Sequence, residues 1–114
     1  VDALLELVDI YPTLIELCGL PTPPQQLEGT SFVPLLRNTN LPWKKAVFTH
    51  RAYNKGIIGT KTKAFNFIDY AGDSIALYDR KIDPFNLTNI ASSKPDVVAK
   101  MQKIQAGGWQ NALP

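Results

Sequence analysis

The hydrophobic period changes twice along this chain, and that change restricts the fold more than any other feature. From Ile10 to Cys18 apolar residues recur at helical spacing: Ile10, Leu14, Leu17 and Cys18 form one stripe, widened by Tyr11 and Ile15. Pro21 to Gln26 holds three prolines and two glutamines, which favour extended backbone. From Lys45 the spacing falls towards two, the signature of strands. Val97, Met101 and Ile104, supported by Val98, return to a helical stripe near the end. The order helix, linker, antiparallel strands, helix predicts an α+β fold: a small antiparallel sheet with the C-terminal helix on one face.

Local signals set the boundaries. Asp9 is placed to cap the first helix, with Pro12 in its first turn and Gly19 ending it. Leu4 to Val8 fits either an incoming strand or an earlier helical turn. Thr30 or Ser31 can cap a short turn over Phe32 to Arg37. Strands are expected over Ala46–Thr49, Ile57–Thr62, Ala64–Tyr70 and Ile75–Tyr78, with a hairpin turn at Ala71-Gly72-Asp73. Lys63 could instead be a bulge in one long strand. Ser93 with Asp96 makes a capping-box pattern for the last helix. Gly107-Gly108 ends that helix, unless it continues to Trp109, which shares a face with Met101. Residues 1–44 and 45–114 are therefore read as two parts.

The first helix is too apolar for a surface helix, because Glu16 alone breaks the run from Tyr11 to Cys18. It needs cover on most of its surface, more than 114 residues easily supply. With 45% hydrophobic and 19% charged residues the chain is globular in composition. A net charge of +2, spread along the chain, gives no basis for nucleic-acid binding. No apolar run approaches the ~20 residues that span a bilayer, so no membrane partner is expected. The chain opens at Val1 with no basic leader, which suggests a truncated or processed start.

Chemistry-bearing residues are few. Cys18, the single cysteine, falls at the apolar end of the first helix and is expected to be a packed structural residue. Ser31 lacks the second glycine of a nucleophile elbow and reads as a helix cap. His50, the single histidine, lies in Phe48-Thr49-His50-Arg51-Ala52-Tyr53, where a strand gives way to a loop. His50 beside Arg51 could hold an anionic group; the plain alternative is a surface strand end. Asp69, Asp73, Asp79 and Asp83 match no metal-loop spacing, and Gly56 and Gly59 form no phosphate loop. Asn86-Leu87-Thr88 matches an N-glycosylation sequon. No complete catalytic site is visible.

Two segments carry a resemblance. Leu7-Val8-Asp9-Ile10-Tyr11-Pro12-Thr13-Leu14-Ile15-Glu16-Leu17-Cys18-Gly19-Leu20, with Glu28-Gly29-Thr30-Ser31-Phe32-Val33-Pro34-Leu35-Leu36, resembles the "VDxxPTLxELxGxP … xGxSxxPLL" stretch of sulfatases. Ala76-Leu77-Tyr78-Asp79, then Asp83-Pro84-Phe85-Asn86-Leu87-Thr88-Asn89-Ile90-Ala91, resembles their "ELYDLxxDPxExxNLA" segment. The closing Ala106 to Pro114 is similar to the ends of iduronate-2-sulfatase-like members. The resemblance implies the C-terminal portion of a sulfatase of the alkaline phosphatase superfamily. The first helix would then belong to a larger α/β domain, and residues 45–114 would be the C-terminal subdomain beside the substrate cleft.

It also implies calcium and a formylglycine in the full-length protein, with neither held by this chain. Cys18 is followed by Gly19-Leu20-Pro21, not by the C/S-x-P/A-x-R pattern from which formylglycine is made. The implied partners are the remainder of the catalytic domain and a sulfated substrate, of carbohydrate type. The implied compartment is periplasmic or secreted, lysosomal in an animal. His50 and Arg51 are the candidate substrate-binding residues; catalytic and metal-ligating residues are expected upstream. The alternatives are a phosphate or phosphonate ester hydrolase of the same superfamily, and a non-catalytic interaction module.

Overall fold

A computed structural model describes residues 2–51 and 56–114. The chain divides into two compact units, Val1–Trp43 and Lys44–Pro114.

In the first unit a single 3-10 turn, Leu7–Asp9, leads into α1, Ile10–Leu17. Of the ambiguous Leu4–Val8 stretch, Leu7 and Val8 are thus a helical turn, while Leu4 to Glu6 lead in without regular structure, Glu6 being extended at φ −122°, ψ 156°. Asp9 does not cap α1 with its side chain. Its backbone is already helical, and it forms a capping box with Glu6 around the 3-10 turn. Pro12 sits in the first turn of α1, where a missing N–H is harmless. Gly19 ends α1 in the left-handed region, φ +63°. Leu20 N–H reaches Ile15 C=O at 3.0 Å and Gly19 N–H reaches Glu16 C=O at 3.2 Å, the paired bonds of a Schellman end. The linker then delivers α2, Val33–Arg37, with Pro34 in its first turn. Neither Thr30 nor Ser31 caps it: the N-cap is Phe32, with no side-chain cap bond, and Ser31 Oγ instead accepts the Val33 N–H at 3.3 Å from one residue further out.

The second unit is a four-stranded antiparallel meander, β1 Val47–Arg51, β2 Ile57–Lys61, β3 Phe65–Asp69 and β4 Ile75–Asp79, in spatial order β1-β2-β3-β4. Lys63 is not a bulge. β2 and β3 are separate strands, paired Thr60 to Phe67 and Lys61 to Asn66, and the Thr62 N–H to Phe65 C=O bond of 2.9 Å closes the turn between them. Arg80 Nη1 donates to Thr62 C=O at 2.6 Å and steadies the same turn.

Helix α3, Pro95–Gly107, covers one face of this sheet. Phe67 and Leu77, opposite each other on β3 and β4, are fully buried against Val98 and Met101. Burying four such side chains removes about 1.5–3 kcal/mol worth of apolar surface each from water. Thr60, on the same face of β2, is also fully buried. Its hydroxyl donates to Gln105 Oε1 of α3 at 3.0 Å, so the helix is fixed by a polar bond as well as by packing.

Ser93 does not cap α3. The residue before a proline is kept out of the helical region, and Lys94 sits at φ −132°, ψ 58°. The helix therefore starts at Pro95, whose fixed φ suits a first turn, while Ser93 Oγ donates back to Ile90 C=O at 3.0 Å. Gly108, φ +73°, ends the helix, and Trp109–Ala112 is a separate 3-10 turn. No helix among the described residues is long and apolar enough to cross a membrane.

Candidate functional site

His50 and Arg51 close β1, and both are exposed. They are neighbours on a strand, so their side chains leave on opposite faces of the sheet. His50 pairs across to Ile58 and Arg51 to Ile57. The two are adjacent in the chain, yet each offers its donor on its own side and they do not converge on one point. The His50 ring lies close to Gly56: a Cβ there would stand 3.8 Å from His50 Nε2. Ala52 and Tyr53, from the same stretch, lie outside the described residues.

The other candidates are taken up by the fold. Ser31 Oγ donates to Glu16 Oε2 at 2.5 Å while accepting from Val33, so this hydroxyl ties the α2 entry to α1. Cys18 corrects the sequence expectation: it is exposed, not packed, because the α1 face that carries it is left open. Glu16 also borders an open groove of ≈ 450 Å³ between α1 and the linker, lined by Pro12, Ile15, Leu20 and Leu27.

Three of the scattered aspartates, Asp69, Asp79 and Asp83, bond backbone N–H groups of local turns, and Asp69 also reaches α3. Asp69 accepts Gly72 N–H and Gln105 Nε2–H; Asp79 accepts Lys81 N–H. Among the described residues no group of three or more His, Cys, Asp or Glu side chains is placed to hold a metal ion.

Among the described residues Asp83 carries a clearly lowered pKa. Its two carboxylate oxygens accept the N–H of Leu87 at 3.0 Å and of Thr88 at 2.9 Å. These bonds, that from Leu87 foremost, hold its pKa below the ordinary 3.8. The sign is that of a depressed carboxylate. Its contribution to loop order is fully present above the ordinary value and is lost as pH falls through the lower folded value. In a carbon-detected NMR titration the Asp83 carboxyl should turn over below 3.8, with the Leu87 and Thr88 amide protons shifting in step. A midpoint at or above the ordinary value would refute this arrangement.

Two structural clasps were not foreseen from the sequence. In the first unit Asp9 is fully buried, with Oδ2 accepting Glu6 N–H at 2.9 Å and Oδ1 accepting Thr30 N–H at 2.8 Å. Thr13 Oγ1 donates to Asp9 C=O at 2.6 Å and accepts Phe32 N–H at 3.1 Å. The segment 28–32 is thereby pinned to α1. In the second unit Asn89 spans the open edge of β4: Oδ1 accepts the N–H of Leu77 and of Ala91, both at 3.0 Å, and Nδ2 donates to Ile75 C=O at 3.1 Å. The Asp and Thr of "VDxxPT" and the Asn of "NLA" are therefore structural residues. The available signal was a buried-type Asp and Thr four apart on one helix face, followed by Gly-Thr.

A family model described as "N-sulphoglucosamine sulphohydrolase, C-terminal" matches residues 1–107. The chain belongs to this sulfatase C-terminal family. Arylsulfatase K of Canis lupus familiaris is 34% identical over 120 residues, covering 93% of the chain and 22% of the relative. The sulfatase C-terminal segment thus spans about a fifth of the length of the curated relatives it matches. Among solved structures, BT4656 in complex with its substrate D-glucosamine-2-N,6-O-disulfate superposes with TM-score 0.70 at 27% identity, over 84% of this chain and 22% of that one. The 2-O GAG sulfatase BT1596 superposes with TM-score 0.75 over 94% of this chain and 25% of that one; at 24% identity it speaks for the α+β fold. The phosphonate monoester hydrolase of Agrobacterium radiobacter superposes with TM-score 0.66 at 26% identity, over 86% of this chain and 23% of that one. The sulfatase resemblance of the sequence is confirmed. Its finer likeness to iduronate-2-sulfatase stays a matter of the motifs alone.

Proposed function

We propose that this sulfatase segment completes an enzyme that hydrolyses sulfate esters of a carbohydrate, and that it borders the substrate cleft without supplying the reacting groups. The observation that carries this reading is the family match over residues 1–107. The exposed α1 stripe supports it: Ile10, Leu14 and Leu17 remain 45%, 52% and 56% exposed, an apolar face fit to dock on the remainder of a catalytic domain. A sulfated sugar is the substrate class, supported by the disulfated glucosamine named for BT4656. The compartment we assign is periplasmic, secreted or lysosomal.

Neither calcium nor formylglycine fits the residues described here. Among the described residues no three acidic, His or Cys side chains stand together to hold a metal ion, and Cys18 has Leu20 two residues on, where the modification pattern needs proline or alanine. Both groups belong in our reading to the rest of the enzyme, and no step is assigned to them.

His50 and Arg51 remain the residues we assign to substrate contact. Because they face opposite sides of β1, one of them meets the anionic substrate and the other does not. Kinetics of the full-length enzyme on a sulfated glucosamine should separate them. One of His50→Ala and Arg51→Ala raises KM roughly tenfold, the size of a lost charge-assisted hydrogen bond, with kcat little changed, and the other stays near wild type. Two silent variants would remove both residues from the site. The second reading is a phosphonate ester hydrolase, drawn from the likeness to a phosphonate monoester hydrolase, since this kind of tail accompanies either chemistry. A preference of the same enzyme for phenylphosphonate esters over sulfate esters would select it.

A further inference from the structure

We propose that Asn86 is an acceptor site for an N-linked glycan. Asn86-Leu87-Thr88 has the acceptor pattern, and the fold leaves it available. Asn86 stands at an exposed corner with φ 56°, in the left-handed region that asparagine tolerates. The amides of Asn38, Asn89 and Asn111 are all held in hydrogen bonds. The Asn86 amide is held by none among the described residues.

The surroundings point the same way. Ile82, Phe85 and Leu87 beside it are 78%, 81% and 81% exposed, a cluster of apolar side chains on an otherwise polar turn. A first sugar on Asn86 would stand beside Phe85, whose exposed ring offers an apolar face to the sugar's C–H groups.

In the transfer step Asn86 Nδ2 forms a bond to the anomeric carbon of an oligosaccharide carried on a polyprenyl diphosphate. The anomeric C–O bond to phosphate breaks, the lipid diphosphate leaves with its electron pair, and the amide proton passes to a base of the transferase. No redox change occurs. Transfer needs an extended acceptor, whereas the folded turn holds the Leu87 and Thr88 N–H groups on Asp83. The sugar is therefore added before Asp83 closes the turn.

The inference rests on the exported compartment assigned above, so the test fixes routing. The full-length protein, behind a cleavable leader, is secreted from cultured animal cells. It is treated with peptide-N-glycosidase in water enriched in heavy oxygen, and the peptide spanning Asn86 is weighed. Position 86 should be recovered as heavy-oxygen aspartate in most chains. Asn86→Gln and Thr88→Ala should each lose one glycan's worth of gel retardation, and Thr88→Ser should keep it. Thr88→Ala retains the backbone N–H that Asp83 accepts, so its loss of glycan does not reflect a broken turn. Unlabelled Asn86 in the secreted, folded protein overturns the proposal. Sulfate release by the same preparation reports separately on the enzymatic reading.

Discussion

Replacing Gly29 by alanine should cost about 2.5–4 kcal/mol, a large share of the stability of an ordinary domain. A Cβ at position 29 would stand 1.9 Å from the Val8 carbonyl oxygen, 2.4 Å from its carbon and 3.0 Å from the Asp9 nitrogen. All three obstacles are backbone, so no rotamer change relieves them. The segment 28–32 must withdraw by about an ångström. That withdrawal breaks the Thr30 N–H to Asp9 carboxylate bond and the Phe32 N–H to Thr13 bond. The first is charge-assisted and leaves a fully buried carboxylate short of a donor, worth about 1.5–3 kcal/mol; the second adds about 1. Urea denaturation of the full-length protein checks the total, and protease cleavage in the 22–27 linker reports the local release. Gly59→Ala is the control: its nearest neighbour is the Thr49 Cβ at 3.6 Å, an ordinary contact, so it should cost far less. Equal effects of the two substitutions would mean that the clasp is not what Gly29 serves.

Asn89→Ala should cost about 2–3 kcal/mol through three lost hydrogen bonds. β4 is an edge strand, and an edge presents unpaired N–H and C=O groups. The Asn89 side chain occupies those of Leu77 and Ile75, much as a further strand would, and the Ile90 N–H adds a bond to Leu77 C=O at 2.9 Å. Because Leu77 is fully buried, its N–H has no water to turn to when the asparagine is removed. Amide hydrogen exchange should show Leu77 losing protection first, ahead of the Phe67 amide at the centre of the sheet. Unaltered Leu77 protection in Asn89→Ala would assign the edge to some other group.

Much of this fold follows from local sequence, and each exception has a cause of its own. The period of two from Lys45 places β1 to β4 within a residue or two of their observed limits, and Gly19 and Gly108 end their helices as glycine should. One such cause lies in a partner far along the chain. Asp9 resembles a cap because its sequence neighbours allow one, but its second oxygen is claimed by Thr30, 21 residues away. Cys18 looked buried because the helix is apolar, whereas the open face of α1 exposes it. Lys63 left a bulge open because the Thr62–Ala64 turn carries none of the usual Asn-Gly or Asp-Gly signals. At the candidate site, strand alternation alone separates His50 from Arg51, and that much is legible from two adjacent positions on one strand.

Sulfate release tests the central claim most directly. Full-length protein and the isolated 114-residue chain are compared on a sulfated glucosamine, with a phosphonate monoester as the second substrate. The account predicts sulfate release by the full-length protein, a slower reaction or none on the phosphonate, and no turnover by the isolated chain. Turnover by the isolated chain, or phosphonate cleavage with the sulfate ester left intact, would contradict it.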